Sequence, residues 1–125
     1  GAPWLDGYVL AGELNALDLP GVRFREAWFT PTFSKHAGGR CGGCQMHVRD
    51  RAAFRPVEST VAILAVIRRL AGAEFAFHAT YFDHVLGTAR VREALERGEA
   101  GTVIARRWED EIANFAAFRA PALLY

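Results

Sequence analysis

Apolar positions recur along this chain with two different periods, and the switches between them divide it into elements. After Pro3, residues Leu5, Val9, Leu10, Leu14 and Leu17 share one face of a helix over 5–17, with Asp6 placed to cap it. Pro20-Gly21 breaks that pattern, and Val22, Phe24, Ala27 and Phe29 then alternate with Arg23 and Arg25 as in a strand, with an irregularity expected near Glu26 and Ala27. Thr30 to Gly43 has two glycine pairs and no apolar periodicity, which predicts a long loop. Alternation resumes over 45–50, with Cys44, Met46 and Val48 on one face and Gln45, His47 and Arg49 on the other.

Pro56 suits the first turn of a helix whose Val57, Val61, Ile63, Leu64, Val66, Ile67 and Leu70 are apolar around most of its circumference, as in a central core helix. Phe75, Phe77, Ala79 and Tyr81 alternate again, predicting a short third strand or an extended segment. Thr88 can cap a helix that runs to about Arg97, before Gly98, with Val91 and Leu95 facing inward. A last helix is expected from about Thr102 to Pro121, laying the stripe Ile104, Trp108, Ile112, Phe115 and Phe118 on the rest of the domain. Helices and strands mixed in this order predict an α+β fold: a small mixed or partly antiparallel sheet with helices packed on it.

Composition narrows what such a fold can do. At 125 residues, 51% hydrophobic and 23% charged, the chain is sized for one domain with a modest core. Fifteen Lys and Arg against fourteen Asp and Glu leave no excess charge for gripping nucleic acid or an anionic membrane. The longest apolar stretch, Val61 to Ile67, is far short of the roughly 20 residues of a membrane span. Two cysteines, Cys41 and Cys44, exclude a disulfide-stapled miniprotein. The opening Gly1-Ala2-Pro3-Trp4 carries neither an initiator methionine nor a signal sequence, so the chain reads as an excised piece or a processed product.

The densest polar chemistry lies between Phe29 and Arg51. His36, Cys41, Cys44 and His47 have the ligand types of a zinc site, but Cys44 and His47 stand an odd number of residues apart on a strand and so face opposite ways. Cys41-Gly42-Gly43-Cys44 has dithiol spacing, yet a strand rather than a helix follows, with no helix N-terminus to stabilise a thiolate; a packed Cys44 with turn-forming glycines is the simpler reading. Adjacency of Ser34, Lys35 and His36 does not by itself make a nucleophile. Thr30, Thr32, Ser34, Lys35, Gln45 and His47 fit a hydrogen-bonding surface for a polar ligand such as a sugar or carboxylate, and fit equally a solvated loop with capping hydroxyls. The acidic run Glu109-Asp110-Glu111 belongs to the polar side of a helix rather than to a catalytic carboxylate pair. Trp4 and Trp28 could stack on sugar rings, while Trp108 falls in the apolar stripe.

The segments GAPWLDG (1–7), FTPTFSKHAG (29–38), CGGCQMHVRDRAAFRPV (41–57), FDHVLGTARVREALERG (82–98) and PALLY (121–125) occur in order. Together they resemble the C-terminal domain of the NamZ-type peptidoglycan exo-β-N-acetylmuramidases, over essentially the whole chain. The resemblance implies that residues 1–125 are a single auxiliary domain behind a Rossmann-like catalytic domain absent from this chain. It implies an enzyme that releases terminal N-acetylmuramic acid (MurNAc) from the non-reducing ends of peptidoglycan fragments, with the catalytic carboxylates in the upstream domain and none here. The matching positions are Thr30, Pro31, Phe33, Ser34, Lys35, Gly38, Cys41, Gly42, Gly43, Gln45, His47 and Asp50. Cys44 departs from the family pattern, where an apolar residue is expected.

Its implied partners are the upstream domain and a muropeptide or MurNAc-GlcNAc ligand, with Thr30, Thr32, Ser34, Lys35, Gln45 and His47 on the cleft wall and Lys35 near the lactyl carboxylate. No metal or cofactor is expected. The family fits extracellular, periplasmic and cytoplasmic enzymes, the first two favoured. The alternative is a non-catalytic module that binds a polar ligand or another protein.

Overall fold

Asp6 starts the first helix as its sequence position predicts. Its Oδ1 accepts hydrogen bonds from the backbone N–H of Tyr8 (2.8 Å) and Val9 (3.1 Å), opening α1, Gly7–Ala16. The computed structural model describes residues 1–123, so Leu124 and Tyr125 of the terminal PALLY segment lie outside the described residues. The face that α1 buries is Gly7, Leu10, Ala11 and Leu14, recurring every three or four residues. Leu5, just ahead of it, is buried too, but Val9 is exposed because it sits on the opposite side of the helix, and Leu17 is exposed as the C-cap residue past the end of α1.

Two strands follow, β1 (Val22–Phe29) and β2 (Cys41–Val48). They pair antiparallel without interruption from Val22 opposite Val48 to Phe29 opposite Cys41, so the irregularity expected at Glu26 and Ala27 is absent. A two-stranded ribbon is marginal in water alone, and this one is held from both sides. On one edge the Asn15 side chain mimics a strand: its Nδ2 donates to the Phe24 carbonyl (2.8 Å) and its Oδ1 accepts from the Phe24 N–H (2.9 Å). On the other edge Ala2 exchanges two backbone hydrogen bonds with Gly42, at 3.0 and 3.1 Å.

β2 starts at Cys41, four residues before the predicted Gln45, because Cys41 to Cys44 pair with Phe29 to Glu26 of β1. The pair Gly42-Gly43 is strand backbone, not turn. A side chain on Gly42 would run into the Leu5 carbonyl and the Trp28 ring, so glycine there permits the N-terminal segment to lie against the ribbon. The connecting loop is correspondingly shortened to 30–40.

Pro56 opens α2, Pro56–Ala71, which is central as expected and divides the core. Its Ala62 and Val66 join Leu5, Leu10, Leu14, Leu19, Val22 and Phe24 in one cluster. Its Val61 belongs to a second, with Val91, Ala94, Leu95 and Ile104. Beyond α2 come a 3-10 turn at Gly72–Glu74, α3 (Ala79–Leu86), α4 (Arg90–Glu96), α5 (Gly101–Arg106), α6 (Glu109–Arg119) and a last 3-10 turn, Ala120–Ala122. Thr88 Oγ1 accepts from the Arg90 N–H (3.2 Å) ahead of α4, and Val91 and Leu95 face inward as predicted.

Two elements of this half differ from the sequence expectation. Residues 75–78 are extended but pair with no strand, and Ala79 and Tyr81 already belong to α3. The alternation there reflects aromatic packing: Phe75 meets Phe77 edge to face (4.8 Å between centroids), and Phe77 meets Phe82 (4.7 Å). The expected last helix is broken at Arg107 and Trp108, so Ile104 is buried and Trp108 half-buried against the second cluster, while Ile112, Phe115 and Phe118 on α6 are exposed. The result is an α+β fold with a two-stranded antiparallel sheet.

Candidate functional site

The 30–40 loop closes the β-ribbon and is shaped by its own backbone. The Pro31 carbonyl accepts from the Gly38 N–H (2.8 Å), Ser34 from Ala37 (3.3 Å) and His36 from Gly39 (3.0 Å). Ser34 and His36 both adopt left-handed conformations, with φ of 65° and 63°. For residues with a Cβ that conformation costs energy, and it persists where surrounding structure enforces it. The consequence is a tight, outward-turned loop whose Thr30, Thr32, Ser34 and Lys35 are all exposed. Among the described residues none of these four side chains has a protein hydrogen-bond partner, which leaves three hydroxyls and an ammonium facing solvent.

Gln45 and His47 are exposed as well, but on the ribbon rather than the loop. They stand opposite Arg25 and Arg23 respectively, and Arg25 Nη2 donates to Gln45 Oε1 at 2.9 Å. At about 3.3 Å per residue, His47 lies roughly 20 Å along β2 from the loop base at Cys41. The six candidates therefore form two groups, a hydroxyl and amine cluster at the loop and a Gln-His-Arg surface toward the far end of the ribbon.

Several neighbours share these surfaces, among them Trp28, offered by the sequence for stacking, and Arg40, which the sequence did not single out. Arg40 places its guanidinium 4.8 Å from the centre of the Trp28 ring, at the loop base. Trp28, Phe29 and Phe33 are exposed beside the polar loop residues, giving an apolar element to the same end of the ribbon. Arg23 and Arg25 were readable as outward-facing from strand parity; Arg40 had no pattern to mark it in an arginine-rich chain.

The cysteines do not form a pair. Cys41 is buried, with its Sγ 3.6 Å from the Gly39 carbonyl as a weak donor, and Cys44 is half-buried. Their odd separation puts them on opposite faces of β2. Burial pushes the Cys44 thiol up from its ordinary value, away from thiolate character. Cys44 stands opposite Glu26 and His47 opposite Arg23, on opposite faces, and among the described residues no three His, Cys, Asp or Glu side chains stand together as a metal set. Glu109, Asp110 and Glu111 occupy the exposed first turn of α6, where carboxylates meet the positive end of the helix dipole.

With the site in place, comparison with known proteins decides the kinship. Residues 1–125 match the family described as exo-β-N-acetylmuramidase NamZ, C-terminal. The chain belongs to that family. It is 38% identical over 126 residues to the peptidoglycan β-N-acetylmuramidase NamZ of Bacillus subtilis, a match that takes in all of this chain and 30% of the relative. The crystal structure of a DUF1343 family protein from Bacteroides fragilis shares the fold, with a TM-score of 0.85 and 24% identity, covering 98% of this chain and 33% of that one. The chain thus spans about a third of the length of the proteins it matches, and the NamZ family to which it belongs is defined as a C-terminal part.

Proposed function

We propose that this chain is the non-catalytic C-terminal domain of an enzyme that removes terminal N-acetylmuramic acid from the non-reducing ends of peptidoglycan fragments. In this reading its 30–40 loop is one wall of the substrate cleft. The catalytic carboxylates belong to an upstream, Rossmann-like domain that forms the other wall. Family membership over the full length of the chain is the observation that supports the reading.

The chemistry of the loop suits that substrate. N-acetylmuramic acid differs from N-acetylglucosamine by a lactyl ether that carries a carboxylate. Lys35, the only lysine in the chain, presents its ammonium on the exposed loop beside the hydroxyls of Thr30, Thr32 and Ser34. A charge-assisted hydrogen bond from Lys35 to the lactyl carboxylate would favour muramic acid, while the hydroxyls serve ring substituents. Gln45 and His47, set back along the ribbon with Arg23 and Arg25, would meet parts of the ligand beyond the terminal sugar.

Replacement of Lys35 by methionine in the full-length protein tests this directly. A charged hydrogen bond is worth about 1.5–3 kcal/mol, so binding of MurNAc-GlcNAc is expected to weaken about tenfold to a hundredfold, while that of the GlcNAc-terminated analogue stays the same. Unchanged discrimination between the two ligands would remove Lys35 from the site.

A further inference from the structure

Every residue of α6 is exposed, from Glu109 to Arg119. Its substantial packing among the described residues is with the 3-10 turn that follows it. Yet the helix is far from polar. Ile112, Phe115 and Phe118 recur every third position along one broad stripe and are 63%, 60% and 81% exposed, with the two phenylalanine rings 6.4 Å apart. Leu123, past the 3-10 turn that follows the helix, is half uncovered as well. An isolated helix of this length is marginal in water, and helices in proteins owe their stability to burying an apolar face. The stripe is also the kind of contiguous apolar surface that marks an interface.

We propose that the Ile112, Phe115 and Phe118 face of α6 docks on the N-terminal part of the same full-length polypeptide, fastening the two halves together. This rests on the reading of the chain as one half of a two-part enzyme. The occupant follows from length: the Bacillus subtilis relative has seven-tenths of its chain outside the matched segment. A surface tethered in the same polypeptide meets α6 at an effective concentration in the millimolar range, which a freely diffusing second copy does not reach. Neither strand of the ribbon that carries the 30–40 loop packs substantially against α6.

Hydrogen exchange of the amides over 109–122 tests this, measured in the 125-residue chain and in the full-length protein that contains it. Exchange is expected to be at least about tenfold slower in the full-length protein, and independent of protein concentration. Equal exchange in the two would overturn the proposal, as would protection of the short chain that grows with concentration, the signature of a second copy. The double substitution Phe115→Glu with Phe118→Glu alters only exposed positions. It is expected to restore fast exchange in the full-length protein and to leave the thermal midpoint of the short chain unchanged; protection that survives it overturns the proposal. Protected α6 in a protein without muramidase activity would keep the docking face and refute the proposed function. Hydrolysis by a protein with unprotected α6 would do the reverse.

Discussion

A single methyl group at position 101 would collide with the backbone of α2, since the Cβ of an alanine there would overlap the Ala62 backbone and come 2.7 Å from the Val61 carbonyl carbon. Neither neighbour is a flexible tip that can swing aside. Gly101→Ala is therefore expected to cost about 1–3 kcal/mol, the usual range for overpacking, read as a lower midpoint in urea unfolding; an unchanged midpoint would show that α5 can shift. The same logic separates what single residues reveal in sequence from what they hide. Asp6 and Pro56 were legible because capping and the first helical turn are local chemistry. Gly42 and Gly43 were not, since a glycine that permits a turn and one that permits close backbone approach look identical until the approaching chain is known. Lys35 was legible as the chain's only amine side chain, whereas Arg40, one arginine among many, became visible only over Trp28.

Between elements, charged side chains tie together the helices that the smaller second core cluster covers least. Arg92 on α4 makes a two-pronged contact with Asp83 on α3, at 2.8 and 2.9 Å, and these hydrogen bonds raise its already high pKa. Glu99, in the turn between α4 and α5, bonds Arg97 and Arg107, and those contacts hold its carboxyl below the ordinary value. A carboxyl with a depressed folded-state pKa adds stability that is complete above the unfolded value of about 4.3 and is lost as pH falls through the folded one. Glu99→Gln is accordingly expected to be less stable than wild type at pH 7 and to converge with it on acidification. A difference that stays constant with pH would contradict the ion-pair account.

Periodicity made α1, α2 and α4 readable as helices; in α4 the predicted Val91 and Leu95 are both buried, while Val9 ahead of Leu10 and Val57 at the start of α2 carry the apolar pattern but stay exposed. It misled at 75–81, where alternation arises from Phe75 and Phe77 packing toward Phe82 rather than from a sheet partner. It misled again after Trp108, where the apolar stripe is real but no element among the described residues covers it. A pattern states which face is apolar; what lies against that face is a property of the assembled protein.

At the scale of the whole molecule, α2 stands between two core clusters, with the β-ribbon and its polar loop on one side and the α3–α6 half on the other. In the proposed reading, one exposed surface serves a ligand and another serves attachment. The arrangement also accounts for how far the site could be read from sequence: six polar residues in one segment look like one site, and only the ribbon's length divides Gln45 and His47 from the loop. The central claim is that this domain contributes binding, and not bond cleavage, to a muramidase. The most direct measurement is release of N-acetylmuramic acid from MurNAc-GlcNAc by the 125-residue chain, by the upstream part and by the full-length protein. The account expects hydrolysis by the full-length protein, none by the 125-residue chain, and at most a small fraction from the upstream part alone. Hydrolysis by the short chain, undiminished activity of the upstream part without it, or an inactive full-length protein would each contradict it.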